Sequence, residues 1–164
     1  MENIQFNAIE VFKMAQQIEK KGKKFYGIQA ERFKNNKDLY DLFLRLKSEE
    51  DDHLKTFKNL SEEYKKDINE DGYKHLNDPQ VSGYLRALVE FSIFPENIEK
   101  DDKNIESIND ILLIAIMAEK ESILYYQEIL KYNEGKTEEV LEKLIEEEKK
   151  HLLDLTKISE EYSK

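Results

Sequence analysis

Apolar and small residues recur at spacings of three, four and seven along four long stretches of the chain, the period of one helix face. The first stretch reads Ala8, Phe12, Ala15, Gly22, Tyr26 and Ala30. It predicts a helix from the capping box Asn7-Ala8-Ile9-Glu10 to about Arg32. Residues 34–37, KNNK, then make a turn. A second helix is predicted from about Asp38 to the mid-60s, with Phe43, Leu46, Leu54 and Phe57 on one face. A third opens at the cap Ser107-x-x-Asp110 and ends near Asn133, with Gly135 past its end. Its inner face carries Ile108, Leu112, Ala115, Ser122, Tyr126 and Leu130. A fourth starts after Thr137 and runs close to the last residue, lined by Leu141, Leu144, Leu152 and Leu155. Residues 67–106 form a long connection with a short helix of its own. Asp78 caps that helix and Pro79 suits its first position. Val81, Tyr84, Leu85, Leu88 and Val89 give it an amphipathic stripe, and Pro95 stops the region.

Ionisable residues interrupt each long stripe. Glu19 breaks the first, Glu50 and His53 the second, Glu119 the third, Glu148 and His151 the fourth. They belong to an internal repeat. Ala15-x3-Glu19-x5-Phe25-Tyr26 recurs as Ala115-x3-Glu119-x5-Tyr125-Tyr126, offset by 100 residues. Glu50-x-x-His53 recurs as Glu148-x-x-His151, offset by 98. In an antiparallel helix pair, residues equidistant from the turn share a level. Each of the four acids lies roughly 15 residues from its turn, or about 22 Å along the axis. All four therefore fall on one level of a four-helix bundle, pointing inward. Each histidine follows its Glu by three residues and reaches the same centre. The expected fold is all-α: two antiparallel hairpins joined by one long crossover that contains a short extra helix.

Four buried carboxylates at one level repel one another and are costly to desolvate. Two divalent cations neutralise them. Four carboxylates and two imidazoles suit iron or manganese rather than a thiolate-rich structural zinc site. Glu19, Glu50, His53, Glu119, Glu148 and His151 are thus the expected metal ligands. Glu50 and Glu148 are placed at or near bridging positions, with Glu19 and Glu119 capping opposite sides. Tyr26 and Tyr126 lie two turns past Glu19 and Glu119 on the same faces, where they either hydrogen-bond ligand carboxylates or simply pack. Glu49, Asp51, Asp52, Glu146 and Glu147 read as solvated-face acids, with Glu49 or Glu147 the candidates to orient a histidine. Glu121 points elsewhere, and His75 reads as a surface residue. Gly22 and Ser122 are matching small positions beside the site.

Composition narrows the classes further. Only 5 Gly and 2 Pro occur in 164 residues, as an all-α chain requires. The length suits one domain over residues 1–164. Net charge is −10, with 36 acids against 26 bases, which disfavours binding a phosphate backbone. There is no cysteine, so disulfides and thiolate-held metals are excluded. No apolar run is long enough to span a membrane. The opening MENIQFNAIE lacks the regions of a signal peptide, and the expected location is the cytoplasm.

The phrases AQQIEKKGKKFYG, SEEDDHL, AIMAEKESILYYQEI and IEEEKKHL resemble the rubrerythrin-like branch of the ferritin-like superfamily. The resemblance covers nearly the whole chain. It implies di-iron ligands at the six residues above and a reduced centre that reacts with hydrogen peroxide or dioxygen in oxidative-stress defence. It also implies a homodimer. Full-length rubrerythrin carries a rubredoxin domain whose iron is held by four cysteines; this chain has none, so its electrons must come from a separate donor protein. The extra metal-binding Glu of the family's third helix is replaced here by Ser122. That six-ligand set is closer to ferritin and bacterioferritin, which makes ferroxidase-type iron binding the alternative activity. A bundle that only binds partners, or holds metal structurally, is a third reading.

Overall fold

The computed structural model describes residues 8–66, 79–90 and 107–163. Five helices appear in the order α1 (Ala8–Arg32), α2 (Lys37–Lys66), α3 (Pro79–Glu90), α4 (Ile108–Leu130) and α5 (Lys136–Tyr162), with no strand among the described residues. The expectations for Asn7, His75, Asp78 and Pro95 lie outside the described residues.

Local chemistry sets the helix ends. Asn36 heads α2, its side-chain oxygen accepting from the Leu39 amide at 3.3 Å. Ser107 and Asp110 form the expected reciprocal cap of α4. That helix ends at Leu130, three residues before the expected point, where the Asn133 amide side chain donates to the Ile129 carbonyl at 2.6 Å. Helix α5 starts at Lys136, a residue or two earlier than expected. Gly135 stands at its N-terminus with φ of 62°, a left-handed conformation that favours glycine.

Side-chain pairings give the topology. Lys23 meets Asp51 and Gln16 meets Phe57, so α1 and α2 run antiparallel. Arg45 meets Asp154 and Glu63 meets Lys136, so α2 and α5 also run antiparallel. Tyr26 reaches Glu119 and Tyr126 reaches Glu19, which sets α1 antiparallel to α4. Helices α2 and α4 therefore point the same way, and the chain must return along the bundle's length between them. This is the up-down-down-up topology of a ferritin-like bundle.

The core has two apolar layers. One gathers Phe25, Tyr26, Leu39, Phe43, Leu46, Leu112 and Leu155 near the α1–α2 turn. The other gathers Phe12, Phe57, Leu60, Leu85, Tyr125, Tyr126 and Leu141 toward the opposite end. Helix α3 contributes Leu85 to that second layer and packs on α4 and α1. Its stripe is narrower than the sequence predicts, because Tyr84 is 44% exposed while Ser82 is buried. The six candidate ligands occupy the level between the two layers.

Candidate metal centre

Glu19, Glu50, Glu119, Glu148, His53 and His151 are all buried, each less than 5% exposed. The repeat explains how four helices deliver them together. From Val11 to Tyr26, the order of buried, half-buried and exposed positions is the same as from Ile111 to Tyr126. Matching periodicity in α1 and α4 therefore turns Glu19 and Glu119 inward at equivalent heights.

Two groups of ligand atoms form. Glu19, Glu50, His53 and Glu148 offer atoms within 4.8 Å of one another, and so do Glu50, Glu119, Glu148 and His151. Glu50 and Glu148 belong to both. The imidazoles of His53 and His151 lie nearly parallel, with centroids 5.5 Å apart. His53 Nδ1 lies 3.0 Å from Glu148 Oε1 and 3.5 Å from Glu19 Oε2. His151 Nδ1 lies 2.9 Å from Glu148 Oε2 and 3.5 Å from Glu50 Oε1.

Electrostatics shows the strain of this arrangement without a cation. Burial raises Glu19 well above the usual carboxylate range, and the negative charge of Glu50 adds to the effect. Burial likewise raises Glu119, helped by Glu148 and Glu50. Burial alone would lower His53, but the carboxylates of Glu148 and Glu19 outweigh it and push it up to about 12. His151 is also raised: burial opposes the shift, but Glu119, Glu148 and Glu50 prevail. Glu148, deeply buried between the two imidazoles, is nevertheless held below its ordinary value by His151 and His53.

The hydrogen-bond inventory tests whether a cation fits. Glu19 Oε2, both oxygens of Glu148, and Nδ1 of both histidines are buried without a hydrogen-bond partner. Buried polar atoms are rarely left so. Here five such atoms converge on one level, where the close polar contacts they make are with other members of the ligand set, and all are lone-pair donors when deprotonated. The cluster fits a metal site.

The surrounding groups satisfy the atoms that face away. Tyr26 donates its hydroxyl to Glu119 Oε1, and Tyr126 donates to Glu19 Oε1. Each tyrosine thus serves the acid of the other hairpin while also packing in the core. Tyr26 stacks on Phe43 at 6.2 Å and Tyr126 lies against Phe57 at 5.0 Å. Glu147 Oε2 sits 3.2 Å from His53 Nε2, and Glu49 Oε2 sits 3.0 Å from His151 Nε2. A carboxylate on Nε2 places the proton there and leaves Nδ1 facing the centre. Glu49 and Glu147 are therefore more than solvated acids. The only sequence signal for this was their place beside Glu50 and Glu148, because each partner comes from the opposite hairpin. Asp51, Asp52 and Glu146 pair with surface lysines as a solvated face should.

Gly22 makes close packing possible. A Cβ at that position would lie 3.0 Å from Glu50 Oε2. Its counterpart Ser122 donates to the Ala118 carbonyl at 3.2 Å and so turns its hydroxyl onto its own helix. On the α2–α5 side, a cavity of about 380 Å³ reaches the two histidines, lined also by Arg45, Glu49, Glu147 and Asp154.

The rubrerythrin family model matches residues 10–159 of the chain. Comparison with curated proteins and with solved structures gave no match.

Proposed function

The chain belongs to the rubrerythrin family, and from that premise we propose that it is a di-iron carboxylate oxidoreductase that reduces hydrogen peroxide or dioxygen. The observation that carries this reading is the pair of ligand groups sharing Glu50 and Glu148. Glu19 and His53 would hold one ion and Glu119 and His151 the other, with Glu50 and Glu148 available to both. Two iron ions per chain, with manganese as the substitute, supply when bound the electrons that break an O–O bond.

The chain's own residues bind, orient and exclude. Tyr26 and Tyr126 hold Glu119 and Glu19 from the opposite hairpin, which keeps those carboxylates aimed inward. Glu147 and Glu49 hold the imidazoles with Nδ1 toward the centre. The two apolar layers cover the level between them on both sides along the bundle, and the six ligands are buried there, where each electrostatic interaction is stronger. Gly22, with no Cβ, leaves room for the Glu50 carboxylate itself to lie against α1. No side chain beyond the ligand set is assigned a catalytic role. Reducing one hydrogen peroxide to two waters consumes two electrons and two protons. In this reading a separate electron-donor protein restores the electrons; the 164 residues contain no cysteine. Work in the cytoplasm belongs to this reading; among the described residues no helix is long and apolar enough to cross a membrane. A homodimer is part of the same reading, supported by an apolar stripe on the outer face of α4: Leu113, Met117 and Leu124 are 57%, 40% and 47% exposed.

Ser122 favours a second reading. With a hydroxyl bound to its own helix in place of a seventh ligand, the set also suits ferroxidase-type iron binding. The test is anaerobic Fe(II) addition to metal-free protein, followed by hydrogen peroxide and near-ultraviolet absorption. The expected result is two irons per chain and oxidation by peroxide faster than that of free iron. No acceleration overturns the redox reading. A closed many-subunit shell by light scattering, with faster oxidation by dioxygen than by peroxide, would favour storage.

A further inference from the structure

Helices α1 and α2 leave a groove of about 670 Å³ along the outer face of their hairpin. Lys20, Lys23, Lys24, Lys47 and Lys58 line it, against one acid, Glu31. Lys23 is paired with Asp51 at 2.6 Å; the other four lysines have no ion pair among the described residues. In a chain of net charge −10, this groove stands out as basic.

The internal repeat acts as a control. At the matching positions of α4 and α5, Lys23, Lys24, Lys47 and Lys58 are replaced by Ile123, Leu124, Ile145 and Thr156. The same hairpin geometry therefore forms without these lysines, so helix packing does not require them. The groove also overlies the centre. Lys23 follows Gly22, whose backbone lies against the Glu50 carboxylate. Lys47 and Leu54 flank Glu50 by one turn on either side. About one helix diameter, roughly 10–12 Å, separates the groove from the ligands.

We propose that this groove docks an acidic electron-carrier protein. The carrier's purpose rests on the redox reading above; its recognition rests on charge. The lysines spread from Lys47 to Lys58, about 16 Å along α2, which exceeds the reach of a single phosphate group. Gly27, Ile28 and Leu54 offer apolar contact between the charges. An extended acidic surface with an apolar centre matches both features, and rim charges of this kind govern encounter rate and salt dependence. Each encounter passes one electron. Two encounters supply the two electrons that, with two protons from solvent, convert one peroxide to two waters.

The test compares wild type with the triple variant Lys20→Glu, Lys24→Glu, Lys58→Glu, using an acidic plant-type [2Fe–2S] ferredoxin as probe. Metal-free wild type should bind it, more weakly as salt rises, while the variant keeps its helical signal and loses at least about tenfold in affinity. In the metal-loaded protein, ferredoxin-driven peroxide reduction should fall by a similar factor, with dithionite-driven reduction unchanged. If charge reversal disturbs the helices, the corresponding lysine-to-glutamine variant makes the same comparison. Equal ferredoxin binding by wild type and variant, or none by wild type, overturns the proposal. Tighter binding of tripolyphosphate than of ferredoxin, lost in the same variant, assigns the groove to a small polyanion and also overturns it. Failure of dithionite-driven reduction in wild type would sink the redox reading, while the metal-free binding comparison still decides whether an acidic protein docks.

Discussion

At the residue scale, a cation entering this centre competes with protons. Carboxylates hold His53 protonated up to about 12, and His151 is raised in the same way. Both imidazoles are therefore charged at neutral pH in the metal-free protein, and ligation must expel their protons. Metal binding at pH 7 should release about two protons per chain from these groups. Calorimetry in buffers of different ionisation enthalpy measures this, and apparent affinity should rise with pH. Zero release would mean that the imidazoles do not ligate. The same shifts fix the sign for metal-free stability. The His53 contribution is fully present below its unfolded value near 6.5 and is lost as pH rises through about 12. The Glu148 contribution is present above its unfolded value and lost as pH falls through its lowered one. Raised Glu19 and Glu119 act oppositely to Glu148, costing stability as pH climbs past the ordinary carboxylate value. Gly22 offers a second residue-scale test. Alanine there gains roughly 0.5–1 kcal/mol of helix propensity. It also crowds the Glu50 carboxylate, which must shift. Gly22→Ala should leave the denaturation midpoint near wild type and weaken metal binding by about 10–100-fold. Unchanged affinity would show that Glu50 is free to move without loss.

At the scale of elements, the caps show how local signals place a distant site. Ser107 and Asp110 satisfy each other's backbone donors and fix where α4 begins. Ser107→Ala should cost about 1 kcal/mol in denaturant unfolding. Metal stoichiometry should not change, because Glu119 lies three turns inside the helix. Loss of metal along with the cap would instead show that fraying travels to the centre. Helix positions were legible in the sequence because a period of 3.6 residues and a capping motif are local properties. The narrower stripe of α3 was not. Tyr84 fits the period, yet it is exposed, while Leu85 and Ser82 are buried and Val81, Leu88 and Val89 are half-buried against the core.

For the whole molecule, the two hairpins share one inner design and differ outside. Along the outer face of α1 run Lys13, Gln17, Lys20 and Lys24; at the same positions α4 presents Leu113, Met117, Lys120 and Leu124. If α4 carries the contact between two copies, Leu113→Glu with Leu124→Glu should convert a dimer to a monomer in light scattering. Metal binding should survive, because neither residue approaches the ligands. A variant that stays dimeric would place the contact elsewhere.

The sequence by itself determined the helices, the hairpins, the shared level of the four acids and the six candidate ligands. Each of these follows from periodicity and distance to a turn, which are counted along one strand of chain. Tertiary structure decided what depends on how separate helices rotate and pair. It set α1 beside α4 and α2 beside α5. It gave Tyr26 to Glu119 and Tyr126 to Glu19, crossing the hairpins rather than staying within them. It also turned Nδ1 of both histidines inward by placing Glu147 and Glu49 on their outer nitrogens. No spacing rule encodes such pairings, because partners in different hairpins meet only when the two halves pack and their buried polar groups must find one another.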